Sequence, residues 1–404
     1  MVQTNRLTTK SIFHKNYTML CFFVVFFQPL MLWDRVPLNY FFNILQFLAW
    51  AVIALTALIR IRKWDTYLWV WTAFCIVQIV VILNNVGRDG AEPVAAVETI
   101  ASYFFLVHFL DIFFSGCGKK EMLFFWKYLF MMLVLEVITI PLYQVGIVGI
   151  YWLGIKTRAT EPIIAFLLVN LILKDKMSKK MFYLGIALSV LVVFGLRIST
   201  GIIGLVLIGI CWWLLKKPHL KWFLKLLQPT VIIVGTLALT MGVLYFDIQT
   251  HFSTLFGVFF SKDATFSGRA ELWEYGITML TNYDLSNKLW GFGFYNIPLW
   301  CRWKYYTIIT EGHNQLIQML HDTGIIGAVM LYGVWFLQLR GFNRCKNIDI
   351  KNIIASVCFV MLIMCITEIY CYHSYYFIIF SIAARSKELV ENLGLHQFKW
   401  RKET

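Results

Sequence analysis

"YFFNILQFLAWAVIALTALI", residues 40–59, runs for twenty positions without a charged side chain and then meets Arg60, Arg62 and Lys63. A helix needs about 20 apolar residues to cross the hydrocarbon of a bilayer, so this stretch has the length of one span. Comparable runs recur along the chain. Composition agrees: 59% of residues are hydrophobic, 17% aromatic and 14% charged, against about 25% charged in soluble domains. The expected fold class is all-α, a polytopic membrane protein. The 404 residues would make two or three soluble domains by length, but each apolar run is used up by one crossing. A single integral membrane domain over 1–404 is therefore the expectation.

Hydropathy places about twelve spans near 19–34, 40–59, 66–84, 94–114, 122–142, 160–173, 181–196, 198–215, 230–246, 313–337, 352–369 and 372–384. The net charge of +14 raises the question of a nucleic-acid partner, and the positions of the Lys and Arg residues answer it. Alternate connections hold 25 of the 36, in clusters such as Arg60–Lys63, Lys174–Lys180, Lys216–Lys225 and Arg340–Lys351. The opposite connections hold ten. This is the positive-inside pattern, which writes membrane orientation. It puts both termini in the cytoplasm and leaves no reason for a nucleic-acid partner. The first apolar run, "MLCFFVVFFQPLMLW", has no small-x-small cleavage site and leads into a second span, so it reads as a retained helix. The nine cysteines form no C-x-x-C pair, and most are apolar filler inside spans. Only Cys301 and Cys371 are expected to face outward.

The segment 247–312 breaks the pattern of short connections. It is expected to be a large extracytoplasmic loop before the tenth helix, and its length makes it a functional candidate. Its charges nearly balance: Lys262, Arg269, Lys288, Arg302 and Lys304 stand against Asp247, Asp263, Glu271, Glu274, Asp284 and Glu311. Specific side chains, not bulk charge, must therefore hold any ligand. In "TFSGRAELWEYGITML", Ser267 is a candidate N-cap, Glu271 falls in the first turn, and Trp273, Ile277 and Leu280 share a helical face. A short amphipathic helix on the membrane surface or over a cavity is expected there. In "LWGFGFYN", Gly291 and Gly293 mark a tight turn and not a phosphate loop, because no strand precedes them and no G-K-[ST] follows.

"EGHNQLIQMLHDTGIIG", residues 311–327, then puts His313 and Asn314 at the outer mouth of a span. Free N–H groups and the helix dipole favour an anion at such a mouth. At 100° per residue, Gly324 and Gly327 lie about 20° and 40° from the meridian of His313, which gives the three a shared face. Small residues there let a neighbouring helix approach closely. Taken alone, His313 is an interface histidine and the glycines are packing. His321 reads as a supporting or packing residue, and Asp322 as facing the opposite side. The company on the outer side argues for more. Arg158, Arg197 and Arg269 are outward, and Glu98, Glu136, Glu161 and Glu368 lie near span ends. Converging guanidinium forks suit a pyrophosphate, although the Arg and Glu residues could equally pair with one another. His108 and Asp111, at i and i+3 near the cytoplasmic end, read as a local hydrogen bond. No outward D-x-D or E-x-D pair in the first loop, no H-x-x-x-H or Cys/His cluster and no G-x-S-x-G suggests a metal or a serine nucleophile, and no cofactor is implied.

His313 and Asn314, nine residues, then Gly324 and Gly327 resemble the H-[NSQ]-x9-G-x-x-G pattern of the O-antigen ligase and Wzy-type O-antigen and capsular polysaccharide polymerase superfamily. "SGRAELW" from Ser267 to Trp273 and "GFGF" with Gly291 and Gly293 are similar to that superfamily's S/T-G-R-x-x-x-W and G-x-G loop features. The likeness is specific over about 265–330 and architectural elsewhere. Where many members have Ser-Arg-x-Gly, this chain reads "LRISTGIIG", with Arg197 standing earlier.

The resemblance implies a metal-independent, inverting glycosyltransferase in the plasma membrane, acting at its outer face on a glycan carried by undecaprenyl pyrophosphate. His313 is then the general base or orienter of the acceptor hydroxyl, and Arg269, with Arg197 or Arg158, holds the departing pyrophosphate. Asn314 fixes the imidazole or a sugar hydroxyl; Arg302 and Lys304 line the glycan path or are simply loop charges. Chain-length regulator and flippase proteins are the protein partners such an enzyme implies. The arginine pattern departs from the ligases', so polymerase is the expectation. The alternatives are a ligase acting on lipid A core or protein and a polysaccharide flippase or transporter; the latter should show inverted repeats and broken helices, and the sequence shows neither.

Overall fold

The computed structural model describes residues 16–33, 36–215, 217, 223–246, 269–297 and 311–395. Among them no strand occurs, and the chain is a succession of helices. They are α1 Asn16–Phe26, α2 Val36–Ile59, α3 Thr66–Asn84, α4 Pro93–Gly116, α5 Lys119–Gln144, α6 Thr160–Ile172, α7 Lys179–Gly195, α8 Ser199–Leu215 and α9 Pro229–Phe246. Then come α10 Arg269–Asn282, α11 Leu285–Trp290, α12 Gln315–Phe342, α13 Ile348–Met364, α14 Ser374–Ala384 and α15 Ser386–Asn392. Leu30–Trp33 and Phe223–Leu226 add single turns.

Each of the twelve apolar stretches holds a helix, and among the described residues six helices are long and apolar enough to cross a membrane: Leu38–Ile59, Thr66–Asn84, Pro93–Gly116, Lys119–Gln144, Pro229–Phe246 and Gln315–Phe342. The others are shorter. A helix satisfies its own backbone groups, which is why apolar runs fold this way where water is absent. The burial pattern is that of a membrane-embedded protein: Ile44, Phe47, Leu48 and Leu55 of α2 face outward, while Gln78, Asp111, Glu161, Gln315, His321 and Asp322 are buried. Every residue of α6 is buried, and it packs against α5, α7, α13 and α14.

Two ends can be told apart by their contacts. At one, Glu92 N donates to Asn296 O (2.9 Å) and Gln315 N to Cys365 O (3.0 Å); it carries α10, α11 and the 365–373 connection, and is called the loop end. At the other, Arg385 meets Asp65 at 2.7 Å and Asn347 Nδ2 donates to Leu395 O at 3.0 Å.

Three sequence expectations change here. The helix expected at 313–337 begins at Gln315, and His313 lies outside it with φ 48°. It is also broken at Gly324 (φ 61°, ψ −172°), so a straight-helix meridian does not relate His313 to Gly324 and Gly327, and the expectation of unbroken helices fails at this one. Second, the stretch expected at 352–369 ends as helix at Met364, which places Glu368 in a connection. Third, His108 and Asp111 do not pair: His108 faces Thr72 at 3.5 Å and packs on Trp64 and Phe104, while Asp111 takes Arg385 and Tyr67. Cys371 is buried and accepts a hydrogen bond from Gln315. Cys301, Ser267, Arg302, Lys304 and most of the 247–312 connection lie outside the described residues.

Candidate functional site

At the loop end the start of α12 is built from polar side chains that serve backbone. Asn314 caps it, accepting from Ile317 N at 3.1 Å and donating through Nδ2 to Ile366 O at 2.8 Å. Gln315 Oε1 accepts from Tyr370 N (2.9 Å) and Cys371 N (3.1 Å). Gln318 Oε1 accepts from Gly312 N at 2.9 Å, and Trp273 Nε1 donates to Gly312 O at 3.1 Å. Gly312 is thus clamped from both sides, and the 365–373 connection is tied to α12. The mouth of α12 is accordingly not an open anion site, because Gln315 N and Ile317 N already have partners. Asn314, expected to touch the imidazole or substrate, is fully buried with both ends of its amide used.

This clamping presents His313. Its left-handed backbone is uncommon outside glycine and costs on the order of 1–3 kcal/mol, a strain that gathers at functional sites. Its Nδ1 lies 3.4 Å from Glu368 Oε2, and its side chain is one-third exposed. The other Glu368 oxygen meets an Arg269 guanidinium nitrogen at 2.8 Å, and Arg269 also donates to Thr367 O. Burial works against the Glu368 charge; the hydrogen bond from His313 and the Arg269 charge outweigh it and hold this carboxyl below its usual pKa. Arg269, Glu368 and His313 therefore form one chain across three segments. The pairing of Glu368 that the sequence left open is present, with both partners at once.

Arg269 opens α10, whose Leu272 and Trp273 pack with Val243, Ile317 and Ile366, with Ile277 and Leu280 at the edge. The helix lies across the mouth of α12, held by its apolar face.

The glycines act through the break in α12. Beside that break, His321 O and Asp322 O accept from Phe292 N (3.3 Å) and Gly293 N (2.8 Å). Gly291 and Gly324 touch back to back: a Cβ on Gly324 would meet the Leu289 carbonyl carbon and oxygen at 2.4 Å, and one on Gly291 would meet Asp322 O and Gly324 N at 2.5 Å. The expected tight turn is present, with Asn296 N donating to Gly293 O at 3.0 Å, and it inserts into the helical body, for Phe294 is buried against Phe74, Tyr103 and Tyr372. Irregular backbone at such a place is tolerated where protein surrounds it. Gly327 packs against Gln78 of α3. His321 lies buried between Tyr283 OH (2.9 Å) and Gly276 O (3.2 Å), a positioning residue for α10.

The remaining arginines separate. Arg158 faces Glu311 at 3.7 Å and borders a different cavity. Arg197 is exposed, with φ 52°, two residues before α8, and the Glu368 carboxylate that holds Arg269 and His313 makes no ion pair with it. A groove of about 500 Å³ beside α11 has an apolar wall (Ile76, Val77, Val80) and a polar end with Asn84, Arg88 and Asn287. Sequence reasoning passed over Gln315 and Gln318, although with Asn314, His321 and Asp322 they make a polar face at helical spacing. His373 stayed hidden among tyrosines in "YCYHSYY". Among the described residues no group of three His, Cys, Asp or Glu could hold a metal ion. Compared with known proteins, the chain matches no family model and no curated protein sequence.

Proposed function

We propose that this protein is a metal-independent, inverting glycosyltransferase of the plasma membrane that polymerises glycan repeat units carried on undecaprenyl pyrophosphate. In this reading the chain spans about twelve times, both termini are cytoplasmic, and the loop end faces outward, since it holds the fewer Lys and Arg residues. The observation that carries the proposal is the His313–Glu368–Arg269 chain.

With Nδ1–H directed to Glu368, the neutral imidazole keeps its Nε2 lone pair free for an acceptor hydroxyl. That hydroxyl oxygen bonds to the anomeric carbon of the donor as its proton passes to Nε2. The carbon–phosphate oxygen bond breaks, and undecaprenyl pyrophosphate leaves with the electron pair. Arg269, steadied by Glu368 and Thr367 O, turns its remaining N–H groups to the charge growing on the pyrophosphate. The groove with its apolar wall and Arg88 end has the two-part chemistry of a lipid-linked anion. A ligase would share every step and differ only in the acceptor, lipid A core or protein.

The test is purified protein with a lipid-linked repeat unit. Wild type should give long glycan, and His313→Ala and Arg269→Ala should be slowed about 10²–10³-fold or more. Transfer only to an added lipid A core would mark a ligase. Unimpaired extension by His313→Ala would remove the histidine from the chemistry.

A further inference from the structure

A second imidazole–carboxylate pair lies at the loop end, deeper than the first. His373 directs Nδ1 to Glu161 Oε1 where α14 begins against α6. Beside it is a cavity of about 180 Å³, bordered among others by Gln28, Tyr103, Arg158, Glu161, Tyr372 and His373. Three buried polar atoms of these residues have no hydrogen-bond partner among the described residues: Gln28 Oε1, Tyr372 OH and His373 Nε2. Buried polar atoms are almost always paired, so three orphans around one cavity call for an explanation.

Their chemistry is specific. A histidine whose Nδ1–H is given to a carboxylate offers a lone pair at Nε2. Gln28 Oε1 is also an acceptor, and the Tyr372 hydroxyl both donates and accepts. The complement is a compact ligand carrying several hydroxyl donors. An anion does not fit, because it would face Gln28 Oε1 and the Glu161 carboxylate, and the cation at the rim, Arg158, is already matched by Glu311 at 3.7 Å. Tyr103 and Tyr375 supply aromatic surface against which a ring can lie. The cavity also adjoins the transfer chain: His373 is five residues from Glu368 on one connection, and Glu311 is two residues before His313.

We propose that this cavity binds one neutral pyranose unit of the glycan substrate, its hydroxyls donating to His373 Nε2 and Gln28 Oε1 and bonding Tyr372 OH. The proposal rests on the glycan-transfer reading above for its substrate class. It also removes Arg158 from the pyrophosphate and assigns it to the rim of a sugar subsite.

The experiment is saturation-transfer NMR on the full-length protein in nanodiscs, with the methyl pyranosides of glucose, galactose, mannose and N-acetylglucosamine as probes. At least one should receive saturation from wild type and from His313→Ala. Tyr372→Phe and Gln28→Leu, which remove single orphan groups with little change of shape, should lose it, as should His373→Gln. Melting temperatures matched to wild type exclude misfolding as the cause. No transfer to any probe from wild type, or transfer that survives Tyr372→Phe and Gln28→Leu, overturns the subsite. Sugar binding of this pattern in a protein that extends no lipid-linked glycan leaves the subsite standing and defeats the transferase reading. Extension without this binding does the reverse.

Discussion

Arginine meets a buried carboxylate at both ends of the helical body, and the two meetings leave different things over. Arg385 is buried and holds Asp111 at 2.5 Å and Asp65 at 2.7 Å, with Tyr67 donating to the same Asp111. Those carboxylates and Tyr67 raise the Arg385 pKa against the effect of burial. That cluster is closed, and it ties α3, α4 and the end of α14 together. Arg269 holds Glu368 at 2.8 Å, but the second oxygen of Glu368 is shared with a partly exposed histidine on strained backbone. Equal chemistry thus makes a pin where every group is matched, and a candidate site where a carboxylate steadies two groups that still have atoms to offer.

The largest effect that separates the two is Arg385→Ala, which strands Asp111 in the interior. Thermal unfolding of the purified protein should show a loss of about 3–5 kcal/mol. Arg269→Ala, with His313 still on Glu368, should lose only about 1–3 kcal/mol; equal losses would break the comparison. Gly324→Ala comes next. Its backbone conformation is nearly exclusive to glycine, and forcing alanine into it costs on the order of 1–3 kcal/mol. The added methyl also collides with the Leu289 carbonyl. Melting should fall, and trypsin should cut more readily near Leu289–Gly293.

Asn314→Ala should remove about 1 kcal/mol, as loss of a helix cap does. Activity should fall in step with stability; a stable but inactive variant would return Asn314 to the substrate. The smallest effect is the pH response of Glu368. Its pKa in the fold lies below the ordinary 4.5, so its ionised form stabilises the fold. That stability is complete above pH 4.5 and drains away as pH falls through the lowered value. Glu368→Gln should therefore melt below wild type at neutral pH, and the gap should close on acidification. A gap that widens in acid would reverse the sign assigned to this carboxyl.

The sequence made the helices easy to find and their breaks hard. Thr66–Asn84 coincides with its apolar run residue for residue, because hydropathy is counted along the chain. The break at Gly324 was invisible, since glycine in an apolar run also serves as packing. Glu368 was visible as an acid near a span end, but its two partners are 55 and 99 residues away. Likewise His373 finds Glu161 across 212 residues. No local spacing encodes such meetings.

From sequence alone came the all-helical class, the positions of the apolar helices and the singling out of His313 and Arg269. Those features depend on hydropathy, charge and short motifs, which act within a few turns of chain. Only the tertiary structure decided that Glu368 joins Arg269 to His313, that Gly291 fills the break at Gly324, and that Arg158 belongs to a separate cavity. Each of these is a contact between distant segments, and it exists only once helix packing has brought them within hydrogen-bond reach.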